Sequence, residues 1–241
     1  MLEKKFNKLL TKISQLAGEA KHYGFIKFLV IKKNELYYKK KFKHLHLIYP
    51  KDCTNIDLLN NQSLHNDCKL NQATNYFAIK KGFDVTGLKY PDIALLDYGC
   101  GYGKVLNFGI SLNFKKTIGI DLDGSAIKIA LSNCKKMKNN GYKTLFVVDQ
   151  IDACNFIIPD GINFIFMSNP FGKKTMEIVL KNIIEYFQAS KLSEMFIVYS
   201  VPVHQILFTN YTEITKIYEY YDGNKINSEL AVFRLQKNFE S

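Results

Sequence analysis

The chain has 241 residues, of which 47% are hydrophobic and 23% charged, a balance that excludes a wholly disordered polymer and suits one sizeable domain with room for an added subdomain. Its formal net charge of +11 directs attention to acidic or phosphorylated partners. No apolar run approaches the roughly 20 residues of a membrane span, and the start MLEKKFNKLL lacks the apolar core of a signal peptide, so a cytoplasmic protein with no transmembrane segment is expected.

The charge is concentrated at one end. Residues 1–50 carry twelve lysines against Glu3, Glu19 and Glu35, so +9 of the +11 lies there. That segment reads as a solvated basic face or as a footprint for RNA, an anionic membrane surface or an acidic substrate. Only Arg234 among the basic residues is arginine, which speaks for a lysine bias over a set of phosphate forks. Leu2, Phe6, Leu9, Leu10, Ile13 and Leu16 recur at helical spacing and predict an amphipathic helix ending near Gly18. Tyr23 to Ile48, rich in aromatic and basic residues and stopping at Pro50, reads as a second helix or helix pair that caps the rest.

Residues 51–76 are rich in asparagine and have no firm period, which predicts a loop or lid in which Gln72, Thr74 and Tyr76 are candidate contacts. A short helix is expected over Ala78 to Phe83. Cys53, Cys68, Cys100, Cys134 and Cys154 are odd in number and never CxxC, and the five histidines form no ligand pattern, so no disulfide framework and no metal site is expected. His44 and His46 stand two apart, and Cys100 reads as a small filler.

The stretch IALLDYGCGYGK, Ile93 to Lys104, organises the rest of the chain: a short apolar strand runs into Asp97 and then into Gly99, Gly101 and Gly103 at alternate positions. Val105, Phe108 and Leu112 then recur at helical spacing, so a strand turns through glycines into a helix whose first N–H groups are unpaired. A P-loop fails, because Tyr98 stands where its first glycine should be and Val105 where its hydroxyl should be. A GxGxxG fingerprint fails from either starting glycine, at Lys104 and at Leu106. The next strand, Thr117 to Ile120, ends in Asp121 and Leu122. An acid there faces the same crevice and suits ribose hydroxyls, whether of a nicotinamide or an adenosylmethionine nucleoside.

The remaining DxGxGxG resembles motif I of the class I S-adenosylmethionine-dependent methyltransferases. The resemblance implies S-adenosyl-L-methionine as cofactor, with Asp97 beside its amino-acid end, Gly99, Gly101 and Gly103 admitting that end, and Asp121 with Leu122 at the ribose. A helix comes next, started by Ser125 and ended around Gly141, then a strand over Thr144 to Val148. Asp152-Ala153 is similar to the family's acid-plus-small pair at the adenine, with Asp149 a competing candidate.

The apolar run Ile162 to Ser168 predicts a central strand and ends in Asn169-Pro170-Phe171-Gly172. This tetrapeptide is similar to the NPPY or DPPY motif of amine-directed members but has Phe171 in place of the second proline, so nitrogen and oxygen acceptors both stay open. Met176, Val179, Leu180, Ile183, Ile184 and Phe187 form a core-facing helix stripe, and Met195 to Ser200 is a strand leading to His204, a candidate base. Strand-like Thr212 to Tyr221 and Glu229 to Gln236 flank the turn residues Asp222, Gly223 and Asn224.

The expected fold is α/β: a Rossmann-like seven-stranded, mostly parallel sheet with an antiparallel last strand and an N-terminal helical extension. Residues 1–71 would be a cap and lid, and residues 72–241 the cofactor-binding domain. Helices are allowed for between strands three and four and after strand five. The implied activity is methyl transfer to an oxygen or nitrogen of a small molecule or glycan precursor, with Asn169 holding the acceptor and His204 an optional base. The flavour of the later motifs resembles small bacterial members associated with surface glycans. Two other readings are an RNA or protein methyltransferase docking through the basic N-terminal region and a non-catalytic cofactor-binding module.

Overall fold

The apolar run of the glycine motif becomes a strand buried along its whole length in the computed structural model, which describes residues 2–49, 74–222 and 227–237. Helices α1 (Leu2–Tyr23), α2 (Phe25–Lys41) and α3 (Tyr76–Asp84) precede the sheet. Then come β1 (Ala94–Tyr98), α4 (Lys104–Ser111), β2 (Lys116–Asp121), α5 (Gly124–Asn139) and β3 (Leu145–Gln150). The chain continues through β4 (Phe164–Ser168), α6 (Lys173–Ala189), β5 (Glu194–Ser200), β6 (Ile214–Tyr221) and β7 (Ser228–Gln236). The seven strands lie in the order β3-β2-β1-β4-β5-β7-β6. The first five run parallel, and β7 is antiparallel to both neighbours. This is the expected Rossmann-like sheet with its reversed last strand, preceded by helices. Gln72, residues 51–73 as a lid, Cys53, His65, Cys68, and Gly223 and Asn224 lie outside the described residues.

Alternation along the buried strands separates two cores. Leu95, Phe164 and Phe166 face the α3–α5 side, where Phe83 stacks on Phe164 at 4.4 Å between ring centroids. Leu96, Ile165 and Met167 face the α6 side with Ile183, Ile184 and Phe187. Parallel strands covered on both faces read as unbroken apolar runs, which is why β1 and β4 are legible.

Three boundaries and two connections differ from the pattern reading. α1 runs past Gly18 to Tyr23 and breaks at Gly24, whose φ is 77°: a helix tolerates glycine in its interior for about 1 kcal/mol, whereas its end needs a left-handed residue. α3 starts at Tyr76 because the Asn75 side chain accepts from the Ala78 amide at 2.8 Å. Likewise Asp123, not Ser125, caps α5, accepting from the amides of Ser125 and Ala126. Between β3 and β4, and again after β5, the chain makes only short 3₁₀ turns, at Ala153–Asn155 and Gln205–Asn210, and the allowed helices are absent.

The N-terminal helices are tied to the sheet layer by ring stacking and by hydrogen bonds. Tyr38 of α2 stacks on Tyr76 of α3 at 4.6 Å. The Asn133 amide of α5 binds both backbone groups of Ile48 at 2.9 Å and the Tyr102 carbonyl at 3.1 Å, clamping the strap after α2 to the glycine loop. Asn133→Ala leaves those buried groups short of partners and should cost about 1–3 kcal/mol. Hydrogen exchange checks it: protection of the Ile48 amide is expected to fall while that of β1 and β4 holds.

Candidate cofactor and acceptor site

The glycine loop is folded onto the end of β2. Gly99 and Cys100 donate their amides to the Ile120 carbonyl at 2.9 and 3.0 Å, and Gly103 donates to Cys100 at 2.9 Å. Three positive φ angles, 70°, 51° and 75° at Gly99, Gly101 and Gly103, make this tight path accessible only to glycine without strain. Gly103 also caps α4 with no side chain bonded to the helix start, so the opening N–H groups face the loop. Cys100 is the expected filler: its thiol is buried, its pKa driven well up by burial and then by Asp97 and Asp121, and it packs beneath Gly119.

Asp121 does more than face the crevice. One carboxylate oxygen accepts the Gly101 amide at 2.8 Å and the other the Asp123 amide at 2.9 Å, so the acid closing β2 holds the loop after β1. Burial raises its pKa, and these amides pull it back down. A carboxylate has about four lone-pair positions, so accepting two amides leaves capacity for ribose hydroxyls. Leu122, beside it, is half-buried, and its carbonyl accepts from the Gln150 amide at 3.0 Å.

Asp97 is different. It is 3% exposed, and its Oδ2 has no hydrogen-bond partner. Burial and, second, the Asp121 charge push its pKa well above the carboxylate range. A buried acceptor left unpaired costs free energy unless a donor arrives from outside the chain. A second such atom lies on the next strand: Asn169 Oδ1 is also buried without a partner. The register Tyr98↔Met167 brings the loop after β1 level with the tetrapeptide after β4. The two touch so closely that a Cβ on Gly99 would lie 2.6 Å from Pro170 Cβ.

The other expected residues take these places. Asp152 caps the 3₁₀ turn after β3, accepting from the Cys154 amide at 2.9 Å, and Ala153 is buried against the sheet. Asp149 instead lies within β3 and is exposed. His204 comes after β5, with its ring Nε2 buried and its amide donated to the Tyr199 hydroxyl at 3.3 Å. Tyr76 is a core residue, stacked on Tyr38 and held under Lys104, whose ammonium is 4.1 Å from the ring centroid. Thr74 is half-buried just ahead of α3.

Two features escaped the sequence reading. Glu35 of α2 accepts from the Tyr76 amide at 2.6 Å and from Lys104 at 3.2 Å, tying the N-terminal helices to the end of the glycine loop. Its rarity among twelve lysines was the available sign. The other is strain: Asn169 and Val201, the residues just past the register pair Ser168↔Ser200, both have positive φ, 41° and 48°. Such a conformation is an outlier for a β-branched residue and concentrates at functional sites.

No protein-family model and no curated protein sequence matches the chain. Solved structures do resemble it. An Escherichia coli protein assigned as a methyltransferase, yhhF, aligns over 71% of this chain and 92% of its own at 15% identity and a TM-score of 0.55. A Haemophilus influenzae protein assigned as a methylase, HI0767, aligns over 66% and 97% at 15% identity and a TM-score of 0.50. A Streptococcus agalactiae member of the NADB-Rossmann superfamily aligns over 72% of each chain at 14% identity and a TM-score of 0.50. The chain shares the Rossmann-like fold of these structures. In that fold the crevice lies outside the carboxyl ends of β1, β2 and β4, where Asp97, the three glycines, Asp121 and Asn169 converge.

Proposed function

We propose that this protein is an S-adenosylmethionine-dependent methyltransferase acting on an oxygen or nitrogen of a small molecule or glycan precursor. The observation that carries the reading is the pair of buried, unpartnered acceptor atoms, Asp97 Oδ2 and Asn169 Oδ1, at the ends of adjacent strands. The carboxylate fits an ammonium, as the amino-acid end of the cofactor would present, beside a loop that leaves room for backbone approach. The amide oxygen fits an N–H or O–H hydrogen, so an acceptor that carries one is held with its lone pair available. When bound, the cofactor supplies a methyl group on a sulfonium sulfur that the acceptor displaces in line. Such chemistry asks the protein mainly for positioning and exclusion of water.

In this reading Asn169 positions the acceptor. His204 is the optional base that takes its proton, and Asp152 with Ala153 bounds the adenine. Residues 1–71 cap a catalytic domain formed by residues 72–241, with Glu35 and Lys104 as the tie between them.

Calorimetric titration with S-adenosylmethionine should give one site per chain, and Asp121→Ala should weaken it by at least about tenfold, since it removes ribose contacts and loosens the loop together. Absence of binding would sink the assignment. Incubation with methyl-labelled cofactor and separated cell fractions then tests the acceptor: label is expected in small molecules or glycan precursors, and label confined to RNA or protein would overturn that part.

A further inference from the structure

Helix α2 has two apolar faces. One, with Ile31 and Tyr38, is buried against the domain. On a helical projection the opposite face gathers Phe25, Ile26, Leu29, Val30, Lys33, Leu36, Tyr37 and Lys40. Its apolar members stand in solvent: Ile26 is 80% exposed, Phe25 and Leu36 67% and Tyr37 59%. This contiguous stripe is far from the scattered single hydrophobic residues normal on a surface, and marks an interaction site.

We propose that this face docks the protein on an anionic phospholipid bilayer, as a helix lying in the interface plane. Charge selects the occupant. Lys33 and Lys40 lie within the stripe and the exposed Lys39 and Lys43 beside it. The nearby acids are committed elsewhere: Glu19 pairs with Lys32 at 2.6 Å, and Glu35 turns inward to Lys104. A second copy of the chain is a poor fit, because an isologous contact would set these lysines against themselves. Nucleic acid suits the charge and could stack on Phe25 and Tyr37, but it leaves the larger aliphatic part of the stripe, Ile26, Leu29, Val30 and Leu36, in water, and the chain's single arginine, Arg234, lies in β7. A bilayer takes both, receiving aliphatic side chains at the acyl boundary while the lysine stems let their ammonium groups reach phosphate. No helix among the described residues is long and apolar enough to cross a membrane, so the contact is peripheral.

The test is flotation of the full chain with vesicles of phosphatidylcholine alone and of phosphatidylcholine mixed with phosphatidylglycerol, at low and high salt. Binding is expected only to the mixed vesicles and to weaken with salt. The variant I26E/L36E should lose about tenfold or more in partitioning, and K33E/K40E should lose the preference for anionic lipid. Both alter exposed side chains, and unchanged melting temperatures are expected. Absence of flotation at low salt, or flotation indifferent to both variants, overturns the proposal. So does sedimentation as a dimer that L36E dissociates, or binding of a single-stranded RNA oligonucleotide, in place of vesicles, that K33E/K40E abolishes. None of these readouts depends on methyl transfer.

Discussion

Gly99→Ala should destabilise the protein by about 2–5 kcal/mol, and Gly87→Ala by only about 1–2 kcal/mol. The two glycines have nearly the same φ, 70° and 71°, so the strain of placing a Cβ at a positive φ is common to both. They differ in what the Cβ would meet. At Gly87 nothing lies within 4 Å, whereas at Gly99 the Pro170 Cβ is 2.6 Å away. A proline ring cannot rotate aside, so the glycine loop and the tetrapeptide after β4 must separate. Urea denaturation of the two variants isolates that contact, and equal losses would mean that it is slack. Separation also displaces Asn169, so on the proposed function Gly99→Ala is expected to lose methyl transfer even where it remains folded, while Gly87→Ala keeps it.

That contact joins residues seventy-one positions apart, and it shows where local pattern stops being informative. Strands β1 and β4 were legible because burial on both faces leaves an unbroken apolar run, and the glycine loop because three alternate positive φ angles demand glycine. The places of Asp97, Asp121 and Asn169 at strand ends were legible because each closes a short apolar run. The rest depends on partners remote in the chain. Tyr76 looked like a lid residue, but its neighbours Tyr38 and Lys104 come from other elements. Asn133 clamps a backbone group eighty-five residues away. α2 shows no single stripe because both of its faces are apolar, so periodicity could not say which one the domain covers. The left-handed Val201 is invisible to any propensity argument: the tertiary fold imposes it against the residue's own preference.

Cofactor affinity and stability should respond to acid with opposite signs, and Asp97 is the cause. Its folded pKa lies well above the ordinary carboxylate value. The folded chain therefore holds this proton more tightly than the unfolded chain. Its contribution to stability is fully present below the unfolded pKa and is lost as pH rises through the folded one. In the proposed site the cofactor's ammonium requires the charged form. As pH falls through the same raised value, binding must expel a proton, and affinity should drop toward about tenfold per pH unit. Asp121, the neighbouring acid, also has a raised pKa, but its carboxylate already accepts two amides. Cys100, the other titratable neighbour, is pushed upward and stays neutral. Asp97→Asn keeps the shape and removes the charge. It should bind S-adenosylmethionine more weakly at neutral pH by about tenfold or more, consistent with a lost charge-assisted hydrogen bond of about 1.5–3 kcal/mol. Its binding should also depend less on acid than the parent's, the remainder coming from Asp121, and it should be more stable than the parent at neutral pH because no carboxylate with an unpartnered oxygen is buried there. Calorimetry across the acidic range, paired with urea denaturation at the same pH values, reads both slopes. If the acid dependence of binding is undiminished in Asp97→Asn, the ammonium is held elsewhere, and the unpartnered oxygen at the end of β1 does not receive it.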